Sequence, residues 1–283
     1  MPWSFRLGDR VVDLTTRTLV MGILNRTPDS FYDQGKTFEL DALIRRADEL
    51  VAVGADLLDV GGVKAGPGPE VGEAEELDRV VPAIAAVRER VDVAISVDTW
   101  RASVLDEACR AGAVVGNDIS GFADPDYLPV AAKHNASVVA THIRLQPRVP
   151  DPEPHYDDLL GEVRAFLLDR AARAEAVGLE KCQIAIDAGL DLGKTPAMSA
   201  LLLRESDMLA ATGYTLLLSA SNKRYLGELL GLDIDDRRDA SLASVAYGVA
   251  HGCRIVRVHD VAGSVQVCRT VEAILAAAEG RDS

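Results

Sequence analysis

The chain has no apolar stretch approaching the ~18 residues that a membrane-spanning helix needs. Its first ten residues carry charges and no apolar run, so neither a membrane span nor a secretory leader is expected. The four cysteines, Cys109, Cys182, Cys253 and Cys268, stand far apart without paired spacing. This predicts free thiols of a reducing, cytoplasmic compartment rather than a disulfide framework. The five histidines form no His-x-His pair, and no structural metal is expected. Positive charge is in short supply, with 30 Lys and Arg against 44 Asp and Glu and a net charge of -14. General nucleic-acid binding and adhesion to an anionic membrane are therefore not expected, although a locally basic pocket on an acidic body can still hold a small anion. No linker or low-complexity segment divides the chain, so residues 1–283 are expected to form one domain.

What the chain has instead is repetition. Short runs rich in Val, Ile and Leu end on a polar or ionisable residue at 19–25, 57–59, 93–98, 114–118, 138–142, 184–187, 216–221 and 255–259. Each is followed by a segment with helical spacing. Strands covered on both faces read this way. The eightfold β-then-α alternation predicts an α/β fold, a single (β/α)8 TIM barrel. Residues 1–17 alternate around Gly8-Asp9, which predicts an N-terminal β-hairpin capping the barrel bottom. Residues 156–177 read as one long helix and 195–212 as one or two. The segment 146–154 carries four prolines and cannot be helical; a loop at the mouth is expected. Chemistry in this fold sits where strands end, so the polar terminators define the candidate site.

Asp98, Asn117, Asp187 and Lys223 all lie at or just past strand ends. A carboxylate accepts two parallel hydrogen bonds, an Asn both donates and accepts, and a lysine donates to a ring carbonyl. Together they suit a guanine-like or pterin-like edge, or else they bond one another and stiffen the rim. Arg257 and His259 alternate on the last run and point the same way. With Asn25 they suit a phosphate or pyrophosphate; the other reading of Arg257 is a buried ion pair with Asp59 or Asp98. A magnesium ion brought by pyrophosphate and held through Asn25 fits the same group. Gly193-Lys194-Thr195 resembles the end of a P-loop, but Gly189 stands one residue too close for that pattern, and Lys194 reads as the start of a helix. His142 reads as a packing or ligand residue, while His134, His155 and His251 read as surface residues.

With these residues assembled, the chain resembles the dihydropteroate synthase family. Met21-Gly22-Ile23-Leu24-Asn25-Arg26-Thr27-Pro28-Asp29-Ser30-Phe31, Ile95-Ser96-Val97-Asp98-Thr99, Asn117-Asp118-Ile119-Ser120-Gly121 and Arg257-Val258-His259-Asp260-Val261 carry the resemblance in the family's order. It implies a pterin-binding barrel, usually a homodimer, joining dihydropterin-methyl pyrophosphate to p-aminobenzoate with magnesium assisting. Asp98, Asn117, Asp187 and Lys223 would hold the pterin, with Arg257 against it and near phosphate. Asn25 and His259 would hold metal-bound pyrophosphate, and Asp59 would lie beneath. No nucleophile is implied; the reaction rests on position and electrostatics.

The departures gather at the acceptor end. Ala65 stands where the family has a threonine, Gly66 where it has an arginine, Leu192 where a phenylalanine walls the aminobenzoate slot, and Asn222 where it has another arginine. Asp191, Arg26, Tyr32 and Gln34 also differ. The first reading is a diverged synthase paralogue with the pterin pocket kept and little or no dihydropteroate synthase activity. The alternatives are an active transferase using p-aminobenzoate or another amine, with Lys64, Arg26 or Arg224 standing in, and a non-catalytic pterin-binding regulator. A pterin-dependent methyl-transfer barrel is a weaker fourth.

Overall fold

The computed structural model describes residues 3–26, 40–64, 66, 68 and 70–279. The chain opens with a hairpin, β1 (Ser4–Leu7) and β2 (Arg10–Asp13), then runs β3 (Leu19–Asn25), α1 (Leu40–Ala52), β4 (Leu57–Gly61), α2 (Glu73–Arg90), β5 (Ala94–Asp98), α3 (Ala102–Ala111), β6 (Val115–Asp118), α4 (Tyr127–Lys133) and β7 (Ser137–Thr141). It continues with α5 (Leu159–Ala176), β8 (Ile184–Asp187), α6 (Pro196–Arg204), α7 (Ser206–Ala210), β9 (Thr215–Leu218), α8 (Arg224–Leu230), α9 (Arg238–Ala250), β10 (Cys253–Val258) and α10 (Val261–Glu279). Strands β3 to β10 are parallel and close into one barrel, with β10 pairing both β9 and β3. The architecture is the (β/α)8 barrel with an N-terminal hairpin that the alternation predicts.

Side-chain alternation sorts the apolar residues into two cores. Val20, Leu24, Leu58, Val60, Ile95 and Val97 face outward against the helices. Leu19, Met21, Leu57, Val115, Val139, Ala185, Leu217 and Ile255 point inward and fill the barrel. Each large aliphatic side chain withdrawn from water in this way contributes roughly 1.5–3 kcal/mol. The helices supply the complementary stripe; on α1, Leu43, Ala47 and Leu50 are buried at helical spacing. Gly116 on β6 is required by packing, since a Cβ there would stand 2.6 Å from Tyr127 Oη and 2.9 Å from Leu105 Cδ1.

The hairpin closes the lower end. Phe5, Leu7 and Leu14 join the inner core, while Ser137 Oγ donates to Arg6 O at 2.6 Å and Thr215 Oγ1 to Ser4 O at 3.2 Å. With the bottom plugged and the middle apolar, the only ends of strands left to carry polar side chains toward one mouth are the C-terminal ones.

Two helices differ from expectation. α5 starts at Leu159 rather than 156, because Asp158 caps it by accepting Gly161 N–H at 3.0 Å and Glu162 holds the N–H groups of Asp157 and Asp158 at 2.9 and 3.0 Å. α8 was not anticipated. Its start is fixed by Asp191 from a distant loop, whose carboxylate accepts the N–H groups of Arg224 and Tyr225 at 2.6 and 3.1 Å. A cap supplied from 33 residues away leaves no local signal.

Candidate functional site

Strand register lines up the polar terminators. Asn25 pairs with Gly61, Gly61 with Asp98, and Asp98 with Asn117, so four neighbouring strands end in one row. Asp59 lies two residues below Gly61 on the same inward face and is fully buried. Arg257, from β10, reaches across to this row. Its Nε donates to Asp59 Oδ2 at 2.6 Å and its Nη2 to Asp98 Oδ2 at 2.7 Å, while Asn117 Nδ2 donates to the same Asp59 oxygen at 3.0 Å. The ion-pair reading of Arg257 is thus what the fold contains, with both carboxylates at once. Asp59 Oδ1 is buried without a partner among the described residues. Burial pushes the Asp98 carboxyl up to about 7, against the pull of Arg257 and Lys223.

Asp187 ends β8 and is buried; its Oδ1 accepts Gly189 N–H at 2.8 Å. Burial raises its pKa, and the Gly189 N–H, Lys223, Lys194 and Arg257 oppose the rise. Lys223, just before α8, therefore acts on Asp98 and Asp187 together. The fold brings Asp59, Asp98, Asn117, Asp187, Lys223 and Arg257 into one electrostatic group. His259 follows the end of β10; Ser221 Oγ lies 2.9 Å from its Nδ1 and accepts its backbone N–H at 3.2 Å. Ser221 is the polar terminator of the 216–221 run, and its partner, His259, is set only once β9 and β10 are adjacent. A Cβ at Gly61 would stand at ordinary contact distance, 3.4 Å from Asn25 Oδ1 and 3.6 Å from Asp98 Oδ2. Among the described residues no group of three His, Cys, Asp or Glu side chains could hold a metal ion, and no helix is long and apolar enough to cross a membrane.

Lys194 does not start a helix. It is buried, and Thr195 caps α6 instead. Its Nζ lies 2.8 Å from His142 Nδ1 and donates to the carbonyls of Gly189 and Leu192 at 2.9 Å and of His142 at 3.3 Å. It ties the end of β7 to the loop after β8, and so holds the backbone beside Asp187. Burial pushes the Lys194 amine down to about 7; burial, then the Lys194 charge, holds the His142 imidazole down at about 3. The amine of the unfolded chain stays protonated to about 10.4. Between these values the unfolded state binds more protons, so stability from this group rises with pH by up to about 1.4 kcal/mol per unit. Urea titrations should therefore show the stability gap between the native protein and Lys194→Met widening from pH 7 to pH 9. A flat gap would mean that the three carbonyls keep the ammonium charged.

The rim is built differently from the floor. A Cβ at Gly66 would meet nothing within 4 Å among the described residues. Ala65 lies outside the described residues, as do Thr27 to Ser30, Tyr32 and Gln34. Asn222 adopts φ 56° and is turned to α9, its N–H donating to Ser241 Oγ at 3.0 Å. Leu192 lines a cavity of about 550 Å³ together with Gly66, Asn222, Lys223, Arg224 and Arg148. Arg148, in the proline-rich segment, donates through Nη1 to Lys64 O at 3.1 Å, and its Nη2 lies 3.3 Å from where a Cβ at Gly68 would stand. The rim thus contains guanidinium groups from the far side of the mouth. The prolines of 146–154 flagged the loop, but nothing local marked Arg148. A larger cavity of about 700 Å³ lies by the hairpin, lined by Trp3, Thr18, His251 and Arg254. It is at the lower end, away from the strand termini, and the smaller cavity adjoining Lys223 is the functional candidate.

Residues 21–259 match the family model described as pterin binding enzyme. The chain is 40% identical to the dihydropteroate synthase of Bacillus subtilis over 92% of its own length and 89% of the relative's. It is 42% identical to the inactive dihydropteroate synthase 2 of Mycobacterium leprae, over 91% of each. The structure of Yersinia pestis dihydropteroate synthase in complex with a sulfonamide drug superimposes with a TM-score of 0.92 at 38% identity, covering 97% of this chain and 99% of that one. With both sequence and barrel shared along nearly their full length, the chain belongs to the dihydropteroate synthase family of pterin-binding enzymes.

Proposed function

We propose that this protein is a diverged member of its family that binds a pterin at the barrel floor and has little or no dihydropteroate synthase activity. In this reading residues 1–283 act as one pterin-binding domain. Asp187, whose carboxyl pKa burial raises while the Gly189 N–H, Lys223, Lys194 and Arg257 oppose the rise, accepts the paired N–H groups of the amino-pyrimidinone edge. Asn117 and Asp98 meet the remaining ring donors and acceptors, and Lys223 donates to the ring carbonyl. Arg257, anchored from below by Asp59, presents its flat face to the ring. Asn25 and His259 hold the pyrophosphate end, where a small hard cation carrying mostly phosphate and water ligands would be held through Asn25. Magnesium, when bound there with pyrophosphate, would neutralise charge on the leaving group. The protein is read as a cytoplasmic homodimer acting on a small molecule, with no nucleic acid or membrane partner.

The observation that carries the reading is the contrast between the two halves of the mouth. The floor keeps a continuous network from Asp98 through Arg257 and Asp59 to Asn117. At the rim, a Cβ at Gly66 would meet nothing within 4 Å among the described residues, and Asn222 Oδ1 accepts from Ser241 Oγ at 3.4 Å. The relative of M. leprae with 42% identity is itself named inactive. Supplied with dihydropterin-methyl pyrophosphate, magnesium and p-aminobenzoate, the protein should form product at least about a hundredfold more slowly than an ordinary synthase. Calorimetric titration with a pterin analogue should show binding that Asp187→Ala abolishes. Ordinary turnover would defeat the inactivity, and equal binding by both proteins would defeat the pocket. A second reading, an active transferase with a different acceptor, is favoured by Arg148 and Arg224 at the rim cavity.

A further inference from the structure

The short turn that presents Lys223 is gripped by an arginine whose side-chain partners, among the described residues, are all backbone carbonyls. Lys223 directly precedes α8, and its neighbour Asn222 has a φ of 56°. A positive φ outside glycine persists where its surroundings over-determine it. Here the surroundings are largely one residue, the half-buried Arg237 at the start of α9. Its Nη1 donates to Asn222 O at 3.3 Å and to Lys223 O at 3.5 Å, and its Nε and Nη2 both donate to Leu232 O at 3.3 Å. Its own carbonyl accepts from Ser241 Oγ at 2.7 Å, and that same oxygen accepts the Asn222 N–H at 3.0 Å. Asn222 is therefore held at both its N–H and its C=O. Space for the guanidinium is made by Gly227, buried on α8, where a Cβ would stand 2.2 Å from Nη2 and 2.5 Å from Cζ. Arg237 thus spans α8, from the residues just before it to Leu232 just past its end.

We propose that Arg237 is the positioning residue of Lys223: it fixes the backbone from which the Lys223 side chain reaches the barrel floor. A lysine carries its charge on a flexible four-carbon stem, so the place of its ammonium depends on where its Cα is held. Arg237 acts through Lys223 and does not itself meet the ligand. The planar fork is what the task needs, since the single ammonium of a lysine cannot span Asn222, Lys223 and Leu232 together. The Lys223 charge opposes the rise that burial imposes on both Asp98 and Asp187, so a shift of this one turn reaches both sides of the floor. The consequence for binding rests on the pterin reading; the clamp itself does not.

The test is calorimetric titration of 6-hydroxymethylpterin into the native protein, Arg237→Ala, Arg237→Lys and Gly227→Ala, each also in a Lys223→Met background, with the Asp187 carboxyl followed by carbon-13 NMR. Arg237→Ala should weaken pterin binding about tenfold, the scale of one well-placed hydrogen bond, and Arg237→Lys should recover only part. Gly227→Ala keeps the charge and drives the guanidinium off its carbonyls, while alanine's better helix propensity supports α8; it should weaken binding in the same direction. In the Lys223→Met background none of the three should cost further affinity, although their shifts in urea midpoint remain. A residue that only supported the fold would weaken binding equally in both backgrounds. The Asp187 carboxyl should titrate higher in Gly227→Ala than in the native protein, and no higher once Lys223 is methionine. Native affinity in Arg237→Ala would overturn the proposal. So would equal losses with and without Lys223, or an Asp187 titration that Gly227→Ala leaves unmoved. Failure of the pterin reading looks different: Asp187→Ala would then bind the pterin as well as the native protein does, while the Asp187 shift in Gly227→Ala would still report the movement of Lys223.

Discussion

Arg257→Ala will lower the unfolding free energy by about 3–5 kcal/mol, read as a lower urea midpoint at unchanged slope. The magnitude follows from what is left behind. Asp59 is fully buried and already has one oxygen without a partner among the described residues. Its other oxygen relies on Arg257 and Asn117, and Asp98 would lose its 2.7 Å pair at the same stroke. An uncompensated carboxylate in this setting costs far more than the pair itself contributes. The loss should depend on pH in one direction. Burial holds Asp98 at about 7, and removing the guanidinium pushes it higher. A carboxyl raised in the fold favours folding when protonated, a contribution present in acid and lost as pH rises through the folded value. The deficit should therefore be widest above pH 7 and narrow toward pH 5. Neutralising both acids along with the arginine, as Asp59→Asn, Asp98→Asn and Arg257→Met, should recover most of the stability while pterin binding stays lost. A single-variant deficit below about 1 kcal/mol would show that the network contributes little.

The second large effect is a gain. Restoring the family's rim with Ala65→Thr, Gly66→Arg, Leu192→Phe and Asn222→Arg should raise dihydropteroate synthase turnover by about a hundredfold, the scale of one charge-stabilising group regained. At Gly66 a new Cβ meets nothing within 4 Å among the described residues. Asn222 is the costly member. Its φ of 56° suits asparagine, and arginine there pays about 1–2 kcal/mol in backbone strain. The fourfold variant should consequently be less stable than the native protein and still more active. The three changes other than Asn222→Arg should keep part of the gain at lower cost. No rise in initial rate with either combination would mean that the loop backbones, and not only their side chains, have moved away from a synthase geometry.

The barrel was legible from the chain because its signal is local and repeated. Apolar runs covered on both faces, each ended by a polar residue, need no tertiary information to be recognised. The hairpin was legible for the same reason, as alternation around Gly8-Asp9. Candidate residues at strand ends followed from the fold rule alone, and Asp98, Asn117, Asp187 and Arg257 are indeed gathered at one end of the barrel.

What the chain by itself determined, then, is which residues stand at the mouth: strand period and strand ends are properties of neighbouring positions. What only the tertiary structure decided is whom each residue faces. Arg257 read first as an anion ligand, with the ion pair second, until strand closure set it between Asp59 and Asp98, 198 and 159 residues away. Lys194 read as a helix start and became a buried tie, because His142, 52 residues earlier, meets its loop only in the closed barrel. Arg148 had no visible role until the proline-rich segment crossed the mouth to Lys64, 84 residues earlier. Charge pairing depends on separation in space, and across a barrel mouth that separation is set by register and closure rather than by distance along the chain.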